Sequence, residues 1–217
     1  MSPLPPESWR IAGVDEAGRG PMIGPLVVCG VLADPEGILR LKEIGVRDSK
    51  SLTPRRRSAL CEAIREIAID VSVQTVSAAD IDRLRTQGVT LNVIEVRAFA
   101  LALRTMKPSS AILDAADVNP ERFGRMVLEH AGIQPEDCTL ISCHKADSTY
   151  PVVSAASIVA KVERDSAVQL LHREYGDFGS GYPSDPKSIA FVRGFLERHE
   201  ELPDIVRKTW RSSRLSE

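Results

Sequence analysis

Apolar residues recur along the chain with two different spacings, which predict an alternation of strands and helices. Short runs rich in valine, isoleucine and leucine predict strands at residues 10–16, 25–33, 71–76, 111–115 and 139–144. Apolar residues at every third or fourth position, with capping residues or prolines at the start, predict helices at residues 54–67, from 77, at 90–106, 120–132, 151–175 and 187–199. This alternation indicates the α/β class.

The connections indicate which kind of sheet to expect. The first two predicted strands follow each other through a short glycine and proline loop, which favours an antiparallel pair, whereas later strands are separated by helices. We therefore expect a mixed sheet flanked by helices. The chain of 217 residues fits one large domain, at residues 1–175, with a small helical C-terminal lobe at residues 176–217.

Composition limits the function classes that remain. The chain has 28 Lys and Arg against 30 Asp and Glu, for a formal net charge of −2, and 43% hydrophobic residues. These values are ordinary for a folded protein and exclude a disordered chain. They also exclude nucleic-acid binding by bulk positive charge, since the pI is about 6.1 and domains of that kind lie above about 9. A polyanion partner would have to meet a local basic patch or bound cations.

The cysteines and the N-terminal segment bear on localisation. The four cysteines are scattered, with no CxxC pair, and are expected to be reduced thiols. The first ten residues, MSPLPPESWR, lack the basic and apolar regions of a signal peptide, and no run of 18 apolar residues suggests a membrane span. We expect a cytoplasmic protein, and nothing in the sequence requires an oligomer.

Acidic residues follow three predicted strands of the one sheet. Asp15 and Glu16 end the first strand, Asp114 ends the fourth with Asp117 three residues later, and Asp147 follows the fifth. Taken singly, each is equally explained as a solvated strand end or a helix cap. Taken together they form a carboxylate cluster, which favours hard cations such as Mg²⁺ or Mn²⁺. Four acids suit a site for two metal ions.

A glycine-rich loop directly follows the first pair of acids. Its sequence, GRGPMIG at residues 18–24, matches neither the Walker A loop nor the dinucleotide-binding fingerprint. Its glycines would let the backbone approach a ligand closely, and Arg19 could contact a phosphate. The alternative is a plain hairpin turn.

Two further segments are candidates for contact with a polyanion. Residues 47–57, RDSKSLTPRRR, hold five basic residues and one acid, which suggests either a phosphate-contacting patch or a solvated helix start. Tyr182 lies between a glycine and a proline in the loop GSGYPSDP, where it could stack on a nucleotide or anchor the loop.

Several of these segments resemble the signature blocks of one family. GVDEAGRGPMIGPLVV, RDSKSLTPRRR, DAADVNPERF, HKADSTYPVVSAASIVAKVERD and GSGYPSDPKS are similar to blocks of type 2 ribonuclease H (ribonuclease HII), in the family's order. The DAAD, HKAD and GSGYPSDP forms resemble the archaeal and eukaryotic branch. The resemblance extends from residue 11 to about residue 210 and implies a ribonuclease H-like α/β domain with a helical C-terminal lobe.

The resemblance also implies an activity and a set of site residues. Members of the family hydrolyse the RNA strand of RNA/DNA hybrids and incise duplex DNA 5′ of embedded ribonucleotides, with Mg²⁺ or Mn²⁺, leaving 5′-phosphate and 3′-hydroxyl ends. The family's four metal-binding acids fall on Asp15, Glu16, Asp114 and Asp147. Its substrate contacts fall on Gly18, Arg19, Gly20, Lys50, Lys145 and Tyr182, while its second lysine near Lys50 is Ser51 here.

Two other functions remain to be separated from this one by experiment. Another two-metal nuclease, such as a proofreading exonuclease, would also gather acids at one edge of a sheet. A non-catalytic hybrid-binding module is the other alternative, but four negative charges facing phosphate would oppose binding without metal.

Overall fold

The computed structural model describes residues 9–46, 52–198 and 201–210. Its strands are β1 (Ile11–Ala17), β2 (Leu26–Ala33), β3 (Asp70–Val76), β4 (Ser110–Asp114) and β5 (Thr139–Cys143). Its helices are α1 (Pro35–Glu43), α2 (Pro54–Ile67), α3 (Ala78–Thr86), α4 (Leu91–Met106), α5 (Pro120–Ala131), α6 (Ala146–Thr149), α7 (Pro151–Tyr175) and α8 (Pro186–Leu196).

The strands form one mixed sheet in the order β3-β2-β1-β4-β5. β1 pairs antiparallel with β2, to which the short loop at 18–25 joins it. β2 also pairs antiparallel with β3, although α1 and α2 lie between these two strands in the sequence. β1–β4 and β4–β5 are parallel pairs, with helices in the connections. The predicted mixed sheet is therefore confirmed.

Helices cover both faces of this sheet. On one face, α4 and α5 pack against alternate residues of β1 and β4, with Phe99 and Phe123 in edge-to-face contact at 5.1 Å between ring centroids. On the other face, α1, α2 and α7 pack against the intervening strand residues, and the small residues of α7 are buried there. The small-residue stretch at 154–160 is thus explained by helix–sheet packing.

The helix starts predicted from capping residues are confirmed. The side-chain oxygens of Thr53, Ser77, Thr90 and Asn119 each accept a backbone N–H from the first turn of the helix that follows. Such caps satisfy N–H groups that have no partner inside the helix. Two helices were not predicted, α1 and the four-residue α6.

The C-terminal segments pack on the glycine-rich loop between β1 and β2. Phe178, Val192 and Val206 are buried against Met22 and Ile23 of that loop. The division into residues 1–175 and 176–217 stays a prediction, although α7 does end at Tyr175. None of the helices in the described segments is long and apolar enough to cross a membrane.

Candidate active site

Three carboxylates meet at one edge of the sheet. Oxygens of Asp15, Asp114 and Asp147 all lie within 4.8 Å of one another. The register explains the first two, because Val14 of β1 pairs with Leu113 of β4, so the following residues lie side by side. Asp147 arrives from α6, just after the neighbouring strand β5. The sequence-based expectation that three strand ends deliver acids to one place is met in the geometry.

Burial and repulsion between neighbouring acids raise the pKa values of Asp15, Glu16 and Asp114. The pKa of Asp15 is raised well above its usual range, first by burial and then by Glu16 and Asp114. The pKa of Glu16 is raised to about 7, chiefly by burial and by the Asp114 charge. Burial and the Asp147 charge also raise the pKa of Asp114. A cluster of this kind is satisfied by protons or by cations, and oxygen ligands alone suit a hard divalent cation.

The short helix α6 places Asp147 and holds Asp114. Lys145 adopts the left-handed conformation (φ 57°) before α6, and the backbone N–H groups of residues 145–147 donate to the Asp114 carboxylate. The hydroxyl of Ser154, in the first turn of α7, donates to the carbonyl of Asp147. The side chain of Lys145 is exposed, and its left-handed backbone is a conformation that costs a non-glycine residue of the order of 1 kcal/mol.

A groove runs from Glu16 past the glycine loop to Tyr182. It is lined by Glu16, Ala17, Gly18, Arg19, Gly20, Arg57, Ser157, Lys161, Arg164 and Tyr182. Gly18 has φ +91°, and a Cβ there would lie 2.5 Å from the carbonyl oxygen of Pro25 and 2.7 Å from Cδ of Arg164. Glycine is therefore required at this position for both backbone conformation and space.

Arg19 does not offer a free guanidinium to the groove. Its two terminal nitrogens donate to the carboxylate of Glu95 and, at 2.7 Å, to the side-chain oxygen of Asn92, both on α4. Glu95 is fully buried. The side chain of Arg19 thus ties the loop to α4, although about a third of it (34%) remains exposed.

Tyr182 lies beside the glycine loop. The Tyr182 side chain would be 3.4 Å from a Cβ on Gly20, and the guanidinium carbon of Arg164 lies 5.5 Å from its ring centroid. Tyr182 remains 38% exposed, so its ring is open to a ligand on the side away from the protein. Tyr182 and the G-R-G loop, which are distant in the sequence, are therefore neighbours in the structure.

Three basic side chains line the groove, those of Arg57, Lys161 and Arg164. The sequence did not indicate the last two as site residues, and it indicated Arg57 only as part of the basic run at 47–57. Lys161 and Arg164 lie on α7, one turn apart, and Arg57 reaches the same groove from α2. The available signal was that Lys161 and Arg164 are the first basic residues after the small and apolar start of α7. Arg56 donates to the carbonyl of Ile44 at 3.4 Å instead.

Of the residues named from the sequence, one lies outside the described part of the chain and another lies outside the acid cluster. Lys50 lies outside the described residues, as do Arg47 and Ser51. Asp117 does not join the acid cluster, because its carboxylate accepts from the backbone N–H of Asn119 at 2.9 Å and from the guanidinium of Arg122 at 2.6 Å. These hydrogen bonds lower the pKa of Asp117 and identify it as a local structural group.

The chain is similar to known proteins over most of its length. The sequence profile of the family described as Ribonuclease HII matches residues 12–213. Ribonuclease HII of Pyrococcus furiosus is 47% identical over 207 residues, covering 94% of this chain and 90% of that protein. The crystal structure of ribonuclease H2 from Pyrococcus horikoshii OT3 is similar with a TM-score of 0.86 at 42% identity, covering 95% of each chain. The PCNA:RNase HII complex from Archaeoglobus fulgidus contains a chain similar with a TM-score of 0.83 at 40% identity, covering 93% of this chain and 95% of that one.

Proposed function

The chain belongs to the ribonuclease HII family of metal-dependent nucleases, and we propose that it incises duplex DNA on the 5′ side of an embedded ribonucleotide as well as cutting the RNA strand of RNA/DNA hybrids. The observation that carries this proposal is the juxtaposition of a buried acid cluster with the G-R-G loop and Tyr182. The acid cluster can hold metal at a phosphate, and the loop with Tyr182 can distinguish ribose from deoxyribose beside it.

Asp15, Glu16, Asp114 and Asp147 would hold two ions, Mg²⁺ or Mn²⁺. Two ions in such a site lower the pKa of an attacking water and stabilise the departing oxygen. Water would add in line to phosphorus as the bond to the 3′-oxygen breaks, which leaves 5′-phosphate and 3′-hydroxyl ends. The raised pKa values support this assignment, because cations would relieve the repulsion that the bare carboxylates experience.

The sugar would be recognised by the loop and by Tyr182. The 2′-hydroxyl both donates and accepts, and is what distinguishes RNA from DNA at one position. Backbone groups of Gly18, Arg19 and Gly20 line the groove and are suited to reading it, while the exposed ring face of Tyr182 would stack on the neighbouring deoxyribose. Lys50 and Lys145 are proposed phosphate contacts. All these groups come from one chain, so a monomer would hold a complete site, and we propose a monomeric enzyme that acts in the cytoplasm.

A duplex DNA with one ribonucleotide in a defined strand tests the proposal. We expect a single incision 5′ of the ribonucleotide with Mg²⁺ or Mn²⁺ and none with EDTA. Asp114→Asn should lower the rate by more than about 100-fold, since loss of outer-shell partners alone costs 10–100-fold. The matched control Asp137→Asn, an exposed aspartate just before the amino end of β5, should leave the rate unchanged.

Other outcomes would identify the alternatives. Progressive shortening from the strand ends, without internal incision, would indicate an exonuclease. Binding of the hybrid without any metal-dependent cleavage would indicate a binding module.

A further inference from the structure

Arg207 is a buried arginine that holds the glycine loop from behind. Only 1% of its surface is exposed. Its guanidinium donates to three loop carbonyls, of Gly18 at 2.6 Å, Arg19 at 2.9 Å and Gly24 at 3.2 Å. The first two carbonyls belong to the G-R-G segment itself, 189 and 188 residues away in the sequence.

These two hydrogen bonds fix the direction of two peptide planes. In a trans peptide the carbonyl of one residue and the N–H of the next point in opposite directions. Because the carbonyls of Gly18 and Arg19 face Arg207, the N–H groups of Arg19 and Gly20 are turned away from it. Gly18, Arg19 and Gly20 are also among the residues that line the groove ending at Tyr182.

Arg207 is itself firmly placed. Its own N–H donates to the carbonyl of Met22 at 2.8 Å, and the N–H of Gly24 donates to the carbonyl of Ile205 at 2.8 Å. Its guanidinium carbon lies 5.2 Å from the ring centroid of Trp210. The loop and residues 205–207 therefore form one hydrogen-bonded unit, so the guanidinium has little freedom to release the carbonyls.

The guanidinium remains charged under ordinary conditions. Burial lowers the pKa of Arg207 to about 10, and the nearby Arg164 charge contributes in the same direction. A buried cation is costly unless its donors are satisfied, and here the acceptors are carbonyls of the loop. Charge-assisted hydrogen bonds are stronger than neutral ones and suit a group that must hold a backbone in one orientation.

The side chain of Arg19 restrains the same segment from a different direction. Its contacts with Glu95 and Asn92 attach the loop to α4, while Arg207 attaches the carbonyls to the C-terminal segment. The two arginines thus restrain the side chain and the main chain of one short segment.

We propose that Arg207 is a positioning residue for ribonucleotide recognition: it orients the Gly18–Arg19 and Arg19–Gly20 peptides so that their N–H groups face the ribose. This rests on the proposed function, since it assumes that the loop meets a ribonucleotide. It adds a residue outside the acid cluster, whose loss should impair catalysis without removing a metal ligand.

The test compares Arg207→Gln, Arg207→Lys and the wild type on the one-ribonucleotide duplex, with exposed Arg104→Gln on α4 as a control. Melting temperature is measured first, and kinetics are run where every variant is folded. We expect kcat of Arg207→Gln to fall at least tenfold, with Mn²⁺ affinity by calorimetry equal to that of the wild type. Arg207→Lys retains the charge but not the forked donors, and should recover part of kcat. Arg104→Gln should behave as the wild type.

A folded Arg207→Gln with wild-type kcat would overturn the proposal, as would a parallel loss of kcat and Mn²⁺ affinity. If Arg207→Gln does not fold, Arg207→Lys decides by the same two measurements. If neither folds, Arg207 is a folding residue and the proposal fails. Failure of the proposed function is distinguishable, because it would appear as absence of incision by the wild type.

Discussion

Asp114 and Asp117 lie three residues apart, yet their surroundings shift their pKa values in opposite directions. Burial and the Asp147 charge raise the pKa of Asp114, whereas the Asn119 N–H and the Arg122 guanidinium lower that of Asp117. The surroundings of Asp114 disfavour its negative charge, whereas hydrogen bonds stabilise the negative charge of Asp117. At the residue scale, this shortage of compensating charge at Asp114 supports the proposal that it binds metal.

The same shortage gives a pH dependence of stability. An acid whose pKa is raised in the folded state binds more protons there than in the unfolded chain, so stability falls as pH rises between the two values. For Glu16 that window runs from about 4.5 to about 7. In EDTA, we expect the melting temperature to fall by about 3 °C or more from pH 5 to pH 8, a change of about 1 kcal/mol. Differential scanning calorimetry measures it.

Metal should reverse the effect at high pH, because bound cations replace the protons. Saturating Mg²⁺ or Mn²⁺ should therefore raise the melting temperature more at pH 8 than at pH 5. In Asp114→Asn the pH-dependent decrease in EDTA should be smaller, whereas Asp137→Asn should retain it. An equal decrease in both variants would contradict the assignment to the acid cluster.

Strands and helices could be predicted from the sequence where the periodic pattern of apolar residues extends over enough positions. The five strands and six of the eight described helices were found near their observed positions, and Asp15, Asp114 and Asp147 were brought together as expected. α1 was missed although Asp34 caps it, because Gly37 in its first turn is a residue that disfavours helices. α6 has four residues, barely one turn, so it has no period to detect.

The part of the site that sequence could not supply is made of contacts between distant segments. Arg207 meets Gly18 across 189 positions, and Arg19 meets Glu95 across 76. Nothing in either local pattern indicates the partner, because the contact is created by the packing of the C-terminal segment and of α4 on the loop. The motif indicated Arg19 as a candidate phosphate contact. In the structure, the Arg19 guanidinium donates instead to Glu95 and Asn92 on α4.

The approach of α7 to β1 gives a prediction at the scale of elements. A Cβ on Gly13 would lie 2.5 Å from the carbonyl oxygen of Val152 and 2.5 Å from the nitrogen of Val153. Gly13→Ala must push the start of α7 away from the sheet, at a cost of about 3 kcal/mol, the upper end for overpacking. The melting temperature should fall by about 6–12 °C, and urea unfolding measures the free energy directly.

Gly194 in α8 supplies the matched control for this substitution. A Cβ there meets only the Nη2 atom of Arg198, at 4.0 Å. Gly194→Ala should stabilise the protein by about 0.5–1 kcal/mol, since alanine favours the helix. The same chemical change is thus expected to have opposite signs at two sites, and similar effects at both would argue against the close α7–β1 contact.

Over the whole molecule, the near-zero net charge conceals a separation of charges. The acids that would bind metal lie at the carboxyl edge of the parallel strands, and Arg57, Lys161 and Arg164 lie along the adjoining groove. Polyanion binding is therefore expected to depend on a few local contacts and on bound cations, with a modest dependence on salt. Each phosphate contact contributes a slope of about one in log Kd against log salt concentration.

Lys161 is the residue on which to test this. We expect Lys161→Gln, in an Asp114→Asn background that prevents cleavage, to lower the salt slope for an RNA/DNA hybrid by about one. Fluorescence anisotropy at several KCl concentrations with Mg²⁺ present measures it. Arg125→Gln makes a matched change of charge on α5, which packs on the opposite face of the sheet from α7, and should leave the slope unchanged.

Lys161 also pairs with Asp165 at 2.7 Å. Arg57 and Arg164 lie near the same carboxylate, at 3.4 Å and 3.9 Å. A Lys161→Gln slope equal to that of the Asp114→Asn background would contradict a contact between Lys161 and phosphate.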